Sequence, residues 1–544
     1  MIKIKTISSL EKPFWDNEDS FFEIDNKLML KNQLSSYQVV FNIDEPVNGR
    51  AYANVSVDSD IKKSVVIKQV GHVPCAFLAY EQNDNYLRTE PGFYPDVLQS
   101  FDSGVNFINK RWNTLWVEID SANIPVGEHY INIDIESGEN KGQSKLSVIV
   151  CDATLPETDL TVTQWFHCDG ICNYHNVKMF TPQFFEIAEQ YVKMAVKYGI
   201  NTILTPLFTP PLDTAEGTSR KTCQLVDVVK NGDTYTFSYN NLDKWIKMCD
   251  DCGVKYFEMA HLFTQWGAHF APKIMALENS QEKQIFGWDT KSDSKEYISF
   301  LSQFLVSLKD YIYNNDLQNR CYLHVSDEPD IGDCENYLAA SKLVHEHLPQ
   351  IPIMDAISSF ELYEKSSISH PVVAIDHIDK FLSADTENLF AYYCCAQKLK
   401  VTNRFIAMPS YRNRVFGLQC YIYNLRGFLQ WGYNFYNSML SISPIDPYAV
   451  TDAQMGFPAG DPFSVYPTKD GCTQSLRLVV FNDALQDYSA LKLLESKTSR
   501  EYVMEFISSF GVTINLEVYP SEISFYEDFY HKLMLKIAAV SQPK

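Results

Sequence analysis

A chain of 544 residues is too long for one hydrophobic core and predicts roughly two to four domains, one of them as large as a barrel. Its formal net charge of −22 would on average repel a phosphate backbone or an anionic membrane, and no Lys/Arg run offsets that charge. No segment approaches the roughly 18 apolar residues needed to cross a bilayer, so neither nucleic acid nor membrane insertion is expected.

The opening "MIKIKTISSLEKPFWDN" carries lysines but no apolar segment and no small-residue cleavage site, so a cytoplasmic location is expected. An odd count of 13 cysteines, scattered through strand-like and helix-like runs, reads as reduced, buried thiols and agrees with that setting. Aromatic residues make up 14% of the chain, which fits large cores or a surface that stacks on ring-shaped ligands.

From about Gln38 to Cys151 the pattern has period two. In "YINIDIE", Ile131, Ile133 and Ile135 take one face and Asn132, Asp134 and Glu136 the other. Short alternating runs punctuated by Gly and Pro predict an N-terminal antiparallel β-sandwich over residues 1–155. Beyond it, apolar strand-like runs alternate with amphipathic helical ones. The strand candidates are "TVTQWFH", "NTILTPL", "VKYFEMAHL", "CYLHVSDE", "IPIMDAI", "PVVAIDHI", "LFAYYCC" and "GFLQWGYNFY".

Helices are expected between them. Thr181 and Pro182 start one that closes on Gly199, "NNLDKWIKMCDDCG" forms another that closes on Gly253, and "DCENYLAASKLVHEHL" begins a third at Asp333. Eight such units over about 340 residues predict a (β/α)₈ TIM-type barrel over residues 156–499. Between the second strand and its helix, "TCQLVDVVKNGDTYTFSY" centres on Asn231-Gly232 and predicts a hairpin, placed to wall a substrate cleft. Residues 500–544 read as a helical extension packed on the barrel.

The fourth strand candidate runs into "HVSDEP", which sets Asp327 beside Glu328. Barrel enzymes keep their active sites at the C-terminal ends of the strands. Pro329 biases Glu328 toward extended geometry, so the pair is expected at a strand tip. Two acids packed together raise each other's cost of ionising, so one can hold a proton near neutral pH. The plainer alternative is an N-cap for the helix that follows.

Several segments in the same order carry a resemblance: "HVSDEP", "LFAYYCCAQ", "NRFIAMPSYRNRVFGLQCYIYNLRGFLQWGYNFYNS" and "DPFSVYPTKDGCTQSLRLVVFNDALQDYSALKLL". Together they resemble the catalytic domain of glycoside hydrolase family 123, and the N-terminal strands are similar to that family's β-sandwich. The likeness covers nearly the whole chain. It implies a β-N-acetylgalactosaminidase acting on a glycan or oligosaccharide by a substrate-assisted, retaining mechanism, outside the usual two-carboxylate scheme. By position, Glu328 would be the general acid and then base, and Asp327 would orient the sugar's 2-acetamido group and balance the oxazolinium charge. No cofactor and no metal are implied.

Trp431 on strand eight and Tyr392 and Tyr393 on strand seven stand where a ring could stack on the sugar or a hydroxyl reach the acetamide, with core packing as the alternative for each. His261 ends strand three and could bond a sugar hydroxyl. Glu258, Asp355 and Asp376 fall on predicted strands, where each could be a nucleophile under a conventional retaining mechanism, a hydroxyl-binding group or a buried carboxylate paired with an arginine. Because the resemblance already supplies the catalytic pair, the binding or structural role is preferred, with Asp376 foremost as a contact to sugar. Where relatives commonly carry tryptophan at the start of the "YYCC" segment this chain has Phe390-Ala391, which implies a wider subsite.

A catalytically inactive glycan-binding protein on the same scaffold is the competing reading, since fold alone does not guarantee activity. A metal-dependent barrel hydrolase would want clustered ligands at the first strand, where "FHCDG" supplies one histidine and one cysteine. The sequence leaves a homo-oligomer open.

Overall fold

In the computed structural model, which describes residues 2–44, 51–81, 85–329, 332 and 334–541, the period-two runs form strands. Strand Gly127–Ser137 buries Ile131, Ile133 and Ile135 completely and leaves Asn132, Asp134 and Glu136 partly exposed. It belongs to a five-stranded sheet with Asn26–Lys31, Asn140–Thr154, Tyr52–Ser59 and Gly104–Asn106. One pair departs from the expected antiparallel pattern: Asn26–Lys31 runs parallel to Asn140–Thr154. A second five-stranded sheet is antiparallel throughout and orders Ile2–Ser8, Leu34–Ile43, Asn113–Asp120, Val65–Cys75 and Gly92–Gln99. Val39, Leu115 and Val117 of this sheet share one hydrophobic core with Ile131, Ile133 and Val148 of the other. Each such side chain stabilises the fold by about 1.5–3 kcal/mol when fully buried.

By contacts the chain forms two compact units, one of Met1–Asp159, Lys398–Asn424 and Thr473–Lys544, the other of Leu160–Gln397 and Leu425–Cys472. These divisions differ from the expected ones at 155/156 and 499/500. Helix Ile523–Ser541, expected against the barrel, packs on helix Leu476–Lys497 and on the strands Asn26–Lys31 and Asn140–Thr154. Helix Leu476–Lys497 is buried nearly all round, so its polar residues need partners within its own unit. Arg477 and Asp96, both at most 2% exposed, make a two-pronged ion pair at 2.8 and 2.9 Å. Arg477→Met leaves the Asp96 charge buried without its guanidinium, and we expect a loss of about 3–5 kcal/mol. Urea denaturation checks this, and adding Asp96→Asn should recover part of the loss.

In the other unit all eight expected strands appear in order, each three to five residues long: Thr161–Gln164, Thr202–Thr205, Tyr256–Met259, Cys321–Leu323, Met354–Ala356, His370–Ala374, Phe390–Tyr392 and Gly427–Gln430. Taking them as barrel strands one to eight, their order in the sheet is 4-3-2-1-8-7-6-5, every pair parallel. A bridge between Leu323 and Ile353, with Leu323 N–H donating to Pro352 O at 2.9 Å, nearly closes the ring between strands four and five. Leu204, Met354, Val372, Phe390 and Leu429 fill the interior. Parallel strands buried on both faces need continuous apolar runs, which is why these eight were readable.

The predicted helices also appear. Thr181 caps Pro182–Lys197 by accepting the Phe184 N–H, and Gly199 and Gly253 end two helices with φ of 81° and 89°. The third is Cys334–His347, and its expected first residue, Asp333, lies outside the described residues. The hairpin pairs Asp227–Asn231 with Thr234–Ser238. It joins a second hairpin, Ile274–Glu278 and Gln281–Phe286, whose Asn279-Ser280 turn has φ of 52° and 61°. This four-stranded sheet packs on helix Lys295–Asn314, with Phe237 against Phe300 and Phe304. Among the described residues no helix is long and apolar enough to cross a membrane.

Candidate active site

Asp327, Glu328, Tyr392 and Trp431 line one cavity of about 140 Å³ in the barrel unit. The acid pair does not sit at a strand tip, because strand four ends at Leu323 and the pair lies four and five residues further on. Nor is Glu328 extended: its φ is +44°, the left-handed region that non-glycine residues seldom adopt. The segment is pinned against that strain. Val325 N–H donates to Asp355 Oδ1 at 2.9 Å, Ser326 Oγ–H to Thr264 O at 2.7 Å, and Trp266 N–H to Asp327 O at 2.8 Å. The Tyr392 hydroxyl donates to Glu328 Oε1, which fixes the direction of the more exposed acid. Burial, then the Glu328 charge, pushes the half-buried Asp327 carboxyl well above the usual range, and the charge on His324 opposes both.

Beneath the pair lies a buried charged stack. His324 meets Glu258 Oε1 at 2.6 Å through Nε2 and Asp355 Oδ1 at 3.0 Å through Nδ1. Glu258 also accepts from Thr163 Oγ1 at 2.5 Å and Trp165 Nε1 at 2.9 Å, and Asp355 from the Tyr337 hydroxyl at 2.7 Å. Both carboxylates are fully buried and spent on the protein, with a histidine where an arginine partner was the expectation. Burial disfavours a charge on His324, but its bonds to Asp355 and Glu258 outweigh that cost and raise the imidazole to about 9.

His324 therefore contributes stability that is fully present below the ordinary value of 6.5 and is lost as pH rises through about 9. We expect the wild-type denaturation midpoint to fall across that window relative to His324→Gln, by an energy of order 3 kcal/mol. Urea titrations at both ends of the window check this, and parallel profiles for the two proteins would exclude it.

Three of the singled-out residues are elsewhere. His261 is buried, stacks on His324 at 4.3 Å and lies edge-on to Trp165, so it does not reach the cavity. Burial and the His324 charge hold it neutral, its pKa well below 6.5. The Tyr393 ring is fully buried against Phe428 at 4.8 Å, because successive residues of a strand point to opposite faces and Tyr392 takes the cavity side. Asp376 lies two residues past strand six, outside the cavity lining, where it accepts from Gln397 Nε2 at 3.0 Å and pairs with His377 at 2.9 Å. Phe390 and Ala391 are buried and neither lines the cavity, although Phe390 packs in one apolar cluster with the lining residues Tyr392 and Leu429. The predicted hairpin does not wall the cavity either.

Other residues complete the lining. Trp165, one residue past strand one, and Leu429 and Phe457 are apolar walls. Trp431 keeps its ring in place through Nε1–H to Asp461 Oδ2 at 2.8 Å, with Phe435 and Phe457 edge-on at 4.9 Å. Asp213 and Gln265 bring polar atoms: Asp213 N–H donates to Gln265 Oε1 at 2.7 Å, and Asp213 Oδ2 accepts from Leu440 N–H at 2.9 Å. Burial pushes the Asp213 carboxyl up to about 6 against the pull of Arg220. Trp266, half exposed with φ of +60°, closes one side. Asp213, Gln265 and Trp266 come from loops without periodicity, and only Trp165 carried a readable signal, its place at a strand end.

Among the described residues, His261, His324 and Asp355 form the one cluster with metal-ligand spacing, their ligand atoms within 4.8 Å of one another. Both His324 nitrogens already meet carboxylates, so a metal would have to break those bonds and sit against an imidazolium. The donor set fits an ion-pair stack better than a metal centre.

A barrel of eight parallel strands with two adjacent acids on a ring-lined cavity past its strand ends is the arrangement of a barrel enzyme, with acids and rings suited to a sugar. Residues 165–494 match the family described as glycoside hydrolase 123, catalytic domain. The chain belongs to glycoside hydrolase family 123, and is therefore a glycosidase. A solved structure of a family 123 glycoside hydrolase from Clostridium perfringens, reported with the details of glycolipid glycan hydrolysis, shares the fold at a TM-score of 0.74 and 15% identity over 99% of this chain and 98% of that one. A β-glucuronidase from Parabacteroides merdae aligns over 88% of this chain and 51% of its own at 9% identity, but its TM-score of 0.32 is too low to carry an argument. No curated protein matches the sequence.

Proposed function

We propose that this glycosidase removes β-linked N-acetylgalactosamine from glycans with retention of configuration, the sugar's own acetamido oxygen attacking the anomeric carbon. The observation that carries this reading is the adjacency of Asp327 and Glu328 on one cavity, while Glu258 and Asp355 are fully engaged below it. A substrate that brings its own nucleophile needs one acid to protonate the leaving oxygen and one to steady the acetamide. Glu328, the more exposed of the two and oriented by Tyr392, takes the first role and later activates water. Asp327, nearer the His324 imidazolium, accepts the acetamide N–H and faces the oxazolinium as it forms. A developing cation beside Asp327 favours its ionised form, offsetting the burial that otherwise keeps it protonated.

Trp431 offers a ring face to the pyranose, since its N–H is already committed to Asp461. Asp213, across the lining, bonds a sugar hydroxyl. In the other unit, the two five-stranded sheets with their shared core are read as the layers of a sandwich.

The test is release of p-nitrophenol from matched β-linked GalNAc, GlcNAc and galactose substrates. Hydrolysis should be confined to the GalNAc compound. Cleavage of the galactoside at a similar rate would exclude obligatory acetamide attack. The nucleophile would then be sought at Asp213, since Glu258 has no free oxygen and Asp376 is off the cavity.

A further inference from the structure

Cys394 and Cys395 both line the cavity that holds Glu328, and the proposed reaction uses neither. Both are half-buried thiols outside any disulfide. The Cys394 thiol donates to Gln397 Oε1 at 3.2 Å, and the same oxygen accepts the Cys394 N–H at 2.9 Å. Gln397 is anchored in turn by Asp376 at 3.0 Å, so the direction of the first thiol is set. The Cys395 thiol lies within hydrogen-bonding reach of it. That contact, then burial and the Glu328 charge, pushes the Cys394 thiol well above its usual range.

We propose that Cys394 and Cys395 form a dithiol site for trivalent arsenicals, and that filling it blocks the cavity. A protonated thiol is a poor nucleophile toward reagents that need thiolate, so Cys394 should resist simple alkylation. Condensation with a trivalent arsenic oxide proceeds differently. Two As–S bonds form, the As–O bonds break, and the oxygen leaves as water with both thiol protons. Arsenic stays trivalent, so neither oxidant nor reductant is consumed. Because the second sulfur is already beside the first, the second bond forms intramolecularly at high effective concentration.

A direct disulfide is a poorer outcome for this pair. Neighbouring Cα atoms are about 3.8 Å apart, below the roughly 4.4–6.8 Å that disulfides usually span, and a bridging arsenic atom widens the ring. Cys168, Cys172 and Cys223 also lie near one another, but all three are buried, so they do not offer an open alternative.

The thiol site stands independently of the proposed reaction, and only its effect on hydrolysis rests on that reading. The full-length protein is treated with one equivalent of phenylarsine oxide and examined by intact mass and peptide mapping. The expected result is one adduct, equal to the reagent less one water, on the peptide carrying Cys394 and Cys395. It should be released by 2,3-dimercaptopropanol, be absent from Cys394→Ser and from Cys395→Ser, and lower hydrolysis in step with its occupancy. No adduct, an adduct mapping to other cysteines, or one surviving either substitution would overturn the site. Mapping on the wild type decides the matter even if a serine variant does not fold. An adduct at the pair with undiminished hydrolysis would overturn the blocking. A wild type inactive on every glycoside would leave the mass result standing and count against the reaction instead.

Discussion

Glu328→Gln should lower kcat/KM on a β-GalNAc disaccharide by about 10²–10⁴-fold, the usual worth of a positioned general acid–base. The amide still accepts the Tyr392 hydroxyl through its oxygen, so the geometry survives while the transferable proton is lost. Binding of the sugar should change little, because the side chain keeps its size and its bond. The loss should shrink on a 2,4-dinitrophenyl glycoside, whose leaving group needs no protonation. Steady-state kinetics on both substrates, with calorimetric binding of GalNAc, measure this. Undiminished turnover of the disaccharide would remove Glu328 from the role assigned to it.

The second large effect is expected at Asp327→Asn, about 10²–10³-fold in kcat, the scale on which a lost transition-state electrostatic contact is usually felt. Asparagine can still accept the acetamide N–H, so the loss isolates the charge that balances the oxazolinium. A series of N-acetyl, N-fluoroacetyl and N-difluoroacetyl substrates supplies the control. If the acetamido oxygen is the nucleophile, wild-type rates must fall as fluorine withdraws electron density from it. A fully active Asp327→Asn variant, or a flat response to fluorine, would take away the main support for substrate assistance.

How much could be read in advance differs from residue to residue. Each barrel strand is buried on both faces and so announced itself as an apolar run, and Asn231-Gly232 marked its hairpin because that dipeptide suits a turn with positive φ. The Asn279-Ser280 turn does the same with residues that carry no comparable signal. Reading the cysteines as scattered without C-x-x-C spacing misses Cys249 and Cys252, which have that spacing at the end of helix Asn240–Asp251 and form no disulfide. Tyr392 and Trp431, singled out by strand position, line the cavity. Tyr393 does not, because core and cavity faces alternate along a strand and the sequence does not say which face is which.

The eight strands, their sequence in the chain, the capped helices between them and the adjacency of two acids near strand four are all legible from residue order alone. These are local matters, settled by apolar runs, turn residues and chain neighbours. Long-range packing set the left-handed backbone of Glu328, the burial of His261 against His324, the spending of Glu258 and Asp355 on one imidazolium, and the place of 398–424 and 473–544 in the β-rich unit. Each of those depends on contacts between residues far apart in the chain, whose packing and desolvation have no periodicity to betray them.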